Sequence, residues 1–194
     1  MAQQVQFLSK LFIIMTLLSA CSNSGSTPHA IALNRDSTQV ITKGGITYCN
    51  GAPFTGKLYQ LNPNHKDTIS MQEYKNGKED GCWKQFDEHQ KLTEIRYFKD
   101  GLKDGTYQSW WENGKPKAQY SFKNGEYDGV FKEWQPNGKL SKEMHYQNGY
   151  EVGSQKVWYD NGKIRSNYQM INGRRYGLLG TKNCVNVSDS LFKK

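Results

Sequence analysis

The chain has 194 residues, 36% hydrophobic and 13% aromatic, with 19 glycines and 12 tyrosines. That composition excludes a thick core filled with Val, Ile and Leu and suits one thin β-sheet packed by its aromatic side chains. The formal net charge is +8, but lysines alternate with acids, as in Lys75-Asn76-Gly77-Lys78-Glu79-Asp80. The pattern reads as a solvated surface, or as attraction to anionic lipid or an acidic partner, and not as a nucleic-acid site in an exported protein.

Residues 1–20 form a targeting segment, with Lys10 ahead of the apolar run Leu11 to Leu18. The run is too short to span a bilayer, which takes roughly 20 apolar residues. Leu18-Ser19-Ala20-Cys21 looks like the lipobox of a bacterial lipoprotein, in which an acylated Cys21 becomes the mature N-terminus and the lipid anchor; the alternative is a plain secretory signal ending in small residues. Ser22 lacks the aspartate that retains many lipoproteins at the inner membrane, which points to the outer membrane of a bacterial envelope. Residues 21–29 hold this cysteine and a polar, flexible tether.

Residues 30–73 read as an N-terminal cap and a degenerate first repeat. Val40 to Tyr48 predicts a hairpin around Gly44-Gly45 that caps the open edge of the sheet. Asn50-Gly51 and Gly56 echo later turns at altered spacing, with Leu58 and Leu61 in the places of aromatic residues.

Residues 74–177 carry the organising pattern. Asn76-Gly77, Asp100-Gly101, Asn124-Gly125, Asn148-Gly149 and Asn172-Gly173 recur every 24 residues, each followed four residues later by Gly81, Gly105, Gly129, Gly153 or Gly177. Trp83, Tyr107 and Phe131 form one aromatic column; Phe86, Trp110, Trp134 and Trp158 form another. A second turn signal, Asn113-Gly114, Asn137-Gly138 and Asn161-Gly162, divides each unit into two short strands, and Asn-Gly suits hairpin turns in which both central residues take positive φ. The second strands alternate, with Pro116, Ala118, Tyr120 and Phe122 on one face, then Leu140, Lys142, Met144 and Tyr146, then Ile164, Ser166, Tyr168 and Met170. The two aromatic columns are three residues apart, which puts them on opposite faces unless a bulge intervenes. The predicted fold is all-β: an elongated single antiparallel meander sheet of 24-residue hairpins, each stacking its rings on the next. Departures gather at the ends, with Gln90 where later units have glycine and Gln155 where earlier ones have a ring. Residues 178–194 form a C-terminal cap and tail, in which Asn183 to Val187 offers one further short strand.

The run Gly-x-Trp-x-x-Phe/Trp, then Asn-Gly, then Tyr/Phe-x-Asn-Gly-x-x-x-Gly resembles the MORN repeat variant of bacterial proteins of the YwqK antitoxin type, over about residues 46 to 178. The resemblance implies the hairpin-repeat fold and a protein partner, such as a toxin, but no catalytic residues.

Cys49, Cys82 and Cys184 remain after lipidation, and Cys49 with Cys82 is the short-range disulfide candidate, the alternative being small buried hydrophobes. His29, His65, His89 and His145 show no metal-ligand spacing, and neither nucleophile elbow nor phosphate loop occurs, so no enzyme, metal or cofactor is expected. The candidate partner-binding residues are Trp83, Tyr107, Trp110, Trp134 and Trp158. The expected function is a non-enzymatic, protein-binding envelope lipoprotein, antitoxin- or immunity-like; the alternative is an envelope scaffold that binds anionic lipid, glycan or cell wall.

Overall fold

The computed structural model describes residues 31–64 and 66–180. The signal segment, Cys21, the tether, His29, His65, Cys184 and the strand expected at Asn183 to Val187 lie outside the described residues. The remainder is a 16-stranded sheet and a small three-stranded one.

The repeat follows from its turns. At Asp100-Gly101 both residues have positive φ, 51° and 88°, and the same holds at Asn76-Gly77, Asn124-Gly125, Asn148-Gly149 and Asn172-Gly173. This left-handed pair matches the natural twist of a hairpin. Leu102-Lys103 pair back onto the preceding long strand, after which Asp104 leaves the ladder and Gly105, at φ 110°, steers the chain into the strand Gly105–Trp110. A Cβ at Gly105 would sit 3.2 Å from the Tyr97 side chain, so both the angle and the space call for glycine. Each six-residue strand, Gly81–Phe86, Gly105–Trp110, Gly129–Trp134 and Gly153–Trp158, then pairs with the eight-residue strand after it, Leu92–Lys99, Pro116–Lys123, Leu140–Gln147 or Ile164–Ile171.

Successive turns are tied to each other. The N–H groups of Gly77, Gly101, Gly125 and Gly149 donate to Phe54, Glu79, Lys103 and Tyr127 carbonyls at 2.7–2.9 Å. The carboxylates of Asp80, Asp104 and Asp128 accept from the N–H of Asp100, Asn124 and Asn148 at 3.1, 3.3 and 3.2 Å. Val152 takes the next place in this series, and a valine side chain cannot accept.

The second set of turns differs from expectation. Only the glycines, Gly114, Gly138 and Gly162, have positive φ. Trp111 N–H donates to Lys115 O at 2.9 Å and Gly114 N–H to Trp111 O at 2.8 Å, a three-residue loop whose last residue is left-handed. Asn113, Asn137 and Asn161 act through their side chains, accepting from the N–H of Lys115, Lys139 and Lys163 at 3.0, 2.8 and 2.9 Å. Bulges do occur, but in the second strand of each pair: the register steps from Ser109↔Ala118 to Trp110↔Pro116, leaving Lys117 over. Tyr107 and Trp110 therefore stay on opposite faces, as pleating alone dictates.

The N-terminal region departs further. The hairpin Val40–Lys43 with Ile46–Cys49 forms about Gly44-Gly45, but it does not cap the sheet edge. The parallel strand Ala32–Asn34 does, paired with Lys57, Leu58 and Tyr59. The hairpin joins Ala52–Pro53 and folds over the first turn through Thr47 N–H to Gly77 O at 2.7 Å. Beneath it lies a hydrophobic cluster of Phe54, Leu58 and Tyr74, 5%, 1% and 6% exposed. At the other end Arg174–Leu178 pairs with the last long strand in unbroken register, and its five residues are exposed.

Gln155 stands in the ring column yet is fully buried. Its amide donates to His145 O and Val152 O at 2.8 Å and accepts from His145 N–H at 3.3 Å, so it satisfies backbone groups where other units stack a ring.

Gln90 holds a left-handed φ of 60° at the place that is glycine in later units. Gln90→Gly is expected to raise stability by about 0.5–1 kcal/mol, read as a higher urea midpoint with unchanged slope; a lower midpoint would mean that the Gln90 side chain, bonded to Thr68 O at 3.2 Å, outweighs the backbone.

Candidate functional site

One face of the sheet carries a stack of rings. Tyr107 lies 5.0 Å from Tyr120 at 8°, and Tyr120 lies 4.1 Å from Phe131 at 19°, with Tyr127 edge-on to both Tyr120 and Phe131 and Tyr146 continuing the series. Such pairs contribute about 0.5–1.5 kcal/mol each beyond the area they bury. Their hydroxyls are anchored: Tyr107 donates to Glu94 at 3.1 Å, Tyr120 to Glu133 at 2.8 Å and Tyr168 to Glu151 at 3.1 Å. Each acid also meets a cation, Arg96 for Glu94, Lys142 for Glu133 at 2.8 Å and Arg175 for Glu151 at 3.0 Å. Burial, and then the bond to Glu133, holds the Tyr120 phenol far above its ordinary range; burial likewise raises Tyr74, Tyr146 and Tyr168.

Trp83 belongs to this face but to the N-terminal core, 5.8 Å from Tyr74 and 4.6 Å from Phe98, with its indole N–H on Glu73 O. Trp110, Trp134 and Trp158 lie on the opposite face, opposite Pro116, Leu140 and Ile164, and among the described residues they join no ring pair. They make an apolar strip, and Trp110, Pro116 and Trp134 bound a cavity of about 120 Å³.

One row nearer the loops on the ring face, the paired residues run Gln85, Glu94, Ser109, Ala118, Glu133, Lys142, Val157 and Ser166. Ser109 and Ala118 are the smallest facing pair, and they sit mid-sheet. Above them opens a cavity of about 360 Å³ walled by Tyr107, Tyr120, Trp111 and Glu133. Trp111 is held by its N–H on Trp134 O at 3.0 Å and by Lys117 Nζ 4.7 Å from its ring centre. Ser109 is 6% exposed, and its hydroxyl is the one buried side-chain polar atom among the described residues without a hydrogen-bond partner. A smaller cavity of about 240 Å³ adjoins Arg96, Lys103 and Phe122.

The Cys49–Cys82 bridge is not formed, and both thiols are free. Cys49 packs with Trp83 against the N-terminal cluster, whereas Cys82, the strand neighbour of Trp83, faces the other way. Burial raises the Cys82 thiol pKa, which leaves it a poor nucleophile. No group of three metal-ligating side chains occurs among the described residues.

Two outcomes follow from the ring face. An unpartnered buried hydroxyl costs free energy, so Ser109→Ala should stabilise the protein by about 1 kcal/mol, measured by thermal and urea unfolding; a loss of stability would show that the hydroxyl is satisfied in solution. Because the folded protein keeps Tyr74, Tyr120, Tyr146 and Tyr168 neutral, their contribution is full below the ordinary phenol pKa of about 10 and is lost as pH rises above it. Melting temperature should fall steeply from about pH 10 upward, less steeply in Tyr120→Phe, and absorbance near 295 nm should show these phenols ionising together with unfolding. A flat profile would contradict it.

Comparison with curated proteins returns no match to this chain. The sequence of the sheet nevertheless has a recognised form. The family model of the MORN repeat variant matches residues 103–124, 127–148 and 151–172, three consecutive hairpin units of the central sheet.

Proposed function

We propose that this chain is a non-enzymatic, protein-binding repeat module of the bacterial envelope, anchored by an acylated Cys21 and directed at a protein partner in the manner of an antitoxin or immunity protein. The observation that carries the binding surface is the strip of Trp110, Trp134 and Trp158, each paired with Pro116, Leu140 or Ile164, on the face away from the ring stack. Interface energy concentrates in large rigid side chains, above all tryptophan, near the centre of a patch. These indoles are half-buried and take no part in the ring stack of the other face. The anchor rests on Leu18-Ser19-Ala20-Cys21, and Ser22 supports an outer-membrane destination.

The test starts with the partner cross-linked to the native protein in the envelope and identified. Its affinity should fall at least tenfold, about 1.4 kcal/mol, in Trp110→Phe or Trp134→Phe, with melting temperatures unchanged. Full binding by both variants would remove the strip from the interface. Cys21→Ser should release a folded protein from the membrane fraction; retention after a high-salt wash would refute the anchor.

A further inference from the structure

The notch over Ser109 and Ala118 is too particular to be an accident of packing. Every other facing pair in its row includes a larger side chain, Gln85 with Glu94, Glu133 with Lys142, Val157 with Ser166, and only here does the floor drop to one methyl and one hydroxyl. Its volume, about 360 Å³, lies within the range of about 300–1,000 Å³ of small-molecule sites. The hydroxyl on the floor is buried and unpartnered among the described residues, a condition that native proteins rarely keep without use.

The walls narrow the ligand. Tyr107, Tyr120 and Trp111 offer aromatic surface, while Glu133, Gln135 and Asp160 bring polar atoms to the rim. The charges balance: Glu133 pairs with Lys142 at 2.8 Å, and Lys117, over the Trp111 ring, is offset by the carboxylate of Asp160, which accepts from the Gln135 amide at 3.3 Å. The lining therefore carries no net charge that would select a phosphate or an ammonium group. A neutral ligand with a flat apolar side and several hydroxyls fits, which is the chemistry of a sugar ring. The floor adds a finer demand, because a planar group with a methyl at one end and a carbonyl acceptor beside it would set the methyl on Ala118 and take the Ser109 O–H.

We propose that the Ser109–Ala118 notch binds an N-acetylated sugar residue of a glycan, its acetamido carbonyl accepting from Ser109 and its ring lying against the aromatic walls. Ser109 and Ala118 point to the face away from the tryptophan strip, although Trp134 also borders the cavity, and the proposal does not rest on the protein-partner reading.

The experiment titrates the full-length protein in detergent with N,N′-diacetylchitobiose, and with cellobiose as the counterpart lacking acetamido groups, by calorimetry. Diacetylchitobiose should bind, cellobiose at least tenfold more weakly. Ser109→Ala should lose at least tenfold while keeping or raising the melting temperature, and Ala118→Leu, which fills the notch, should abolish binding; if that variant fails to fold, Ser109→Ala decides. Absence of binding by either sugar, equal binding of both, or full binding by Ser109→Ala overturns the proposal. So does binding of inorganic phosphate or of anionic vesicles that Ser109→Ala abolishes, since it would assign the notch to an anion.

Discussion

The left-handed Asn-Gly or Asp-Gly turn, wired to the turn before it, is the constraint from which the rest of the sheet derives. Two consecutive residues at positive φ call for glycine at the second and Asn, Asp or glycine at the first, and in the repeats that requirement recurs every 24 residues. The glycine N–H on the previous unit's carbonyl, and the aspartate on the next turn's N–H, then set each hairpin beside its neighbour. Once that register is set, side-chain alternation decides what each face presents, because a slip of one residue would exchange the faces.

The two faces consequently do different work. On one, the rings spend their area on each other, and their hydroxyls are held by Glu94, Glu133 and Glu151, so replacing a ring changes folding before it changes anything else. Gln155 shows that the column can do without a ring when backbone groups supply the partners. On the other face Trp110, Trp134 and Trp158 are half-buried and stand opposite Pro116, Leu140 and Ile164 across the strand. The Ser109–Ala118 notch interrupts the first face where stacking would have permitted something larger.

Much of this is legible in the amino-acid order. The 24-residue step, the turn positions and the alternating faces of the second strands from Ala118, Lys142 and Ser166 onward are written in Asn, Gly and the aromatic residues, whose local conformational demands survive without tertiary context; Pro116, Leu140 and Ile164, expected on that same face, are turned to the tryptophan face by the bulge. Other features depend on residues that declare nothing locally. Lys117 becomes a bulge because the three-residue loop after Trp111 sets Trp110 opposite Pro116 while the rest of the ladder sets Ser109 opposite Ala118. Ala32–Asn34 can pair in parallel because the hairpin it precedes folds away over Gly77. Ser109 and Ala118 are ordinary small residues until pairing sets them face to face, and the aspartate series was visible at 24-residue spacing but carries no meaning until the turns are seen to touch.

The interruption of that aspartate series at Val152 gives the molecule a direction. Up to Asn148 each turn is fastened to its predecessor, and the first of them is held under the Val40–Cys49 hairpin by Thr47 N–H on Gly77 O. Past Val152 that tie between turns does not recur at Asn172-Gly173; the last strands keep their ladder to Leu140–Gln147 and the Gln155, Tyr168 and Arg175 bonds, but the edge strand Arg174–Leu178 lies open to water. Local opening free energies should therefore grade along the long axis, and the sheet should unzip from its C-terminal margin inward, hairpin by hairpin, in place of melting everywhere at once.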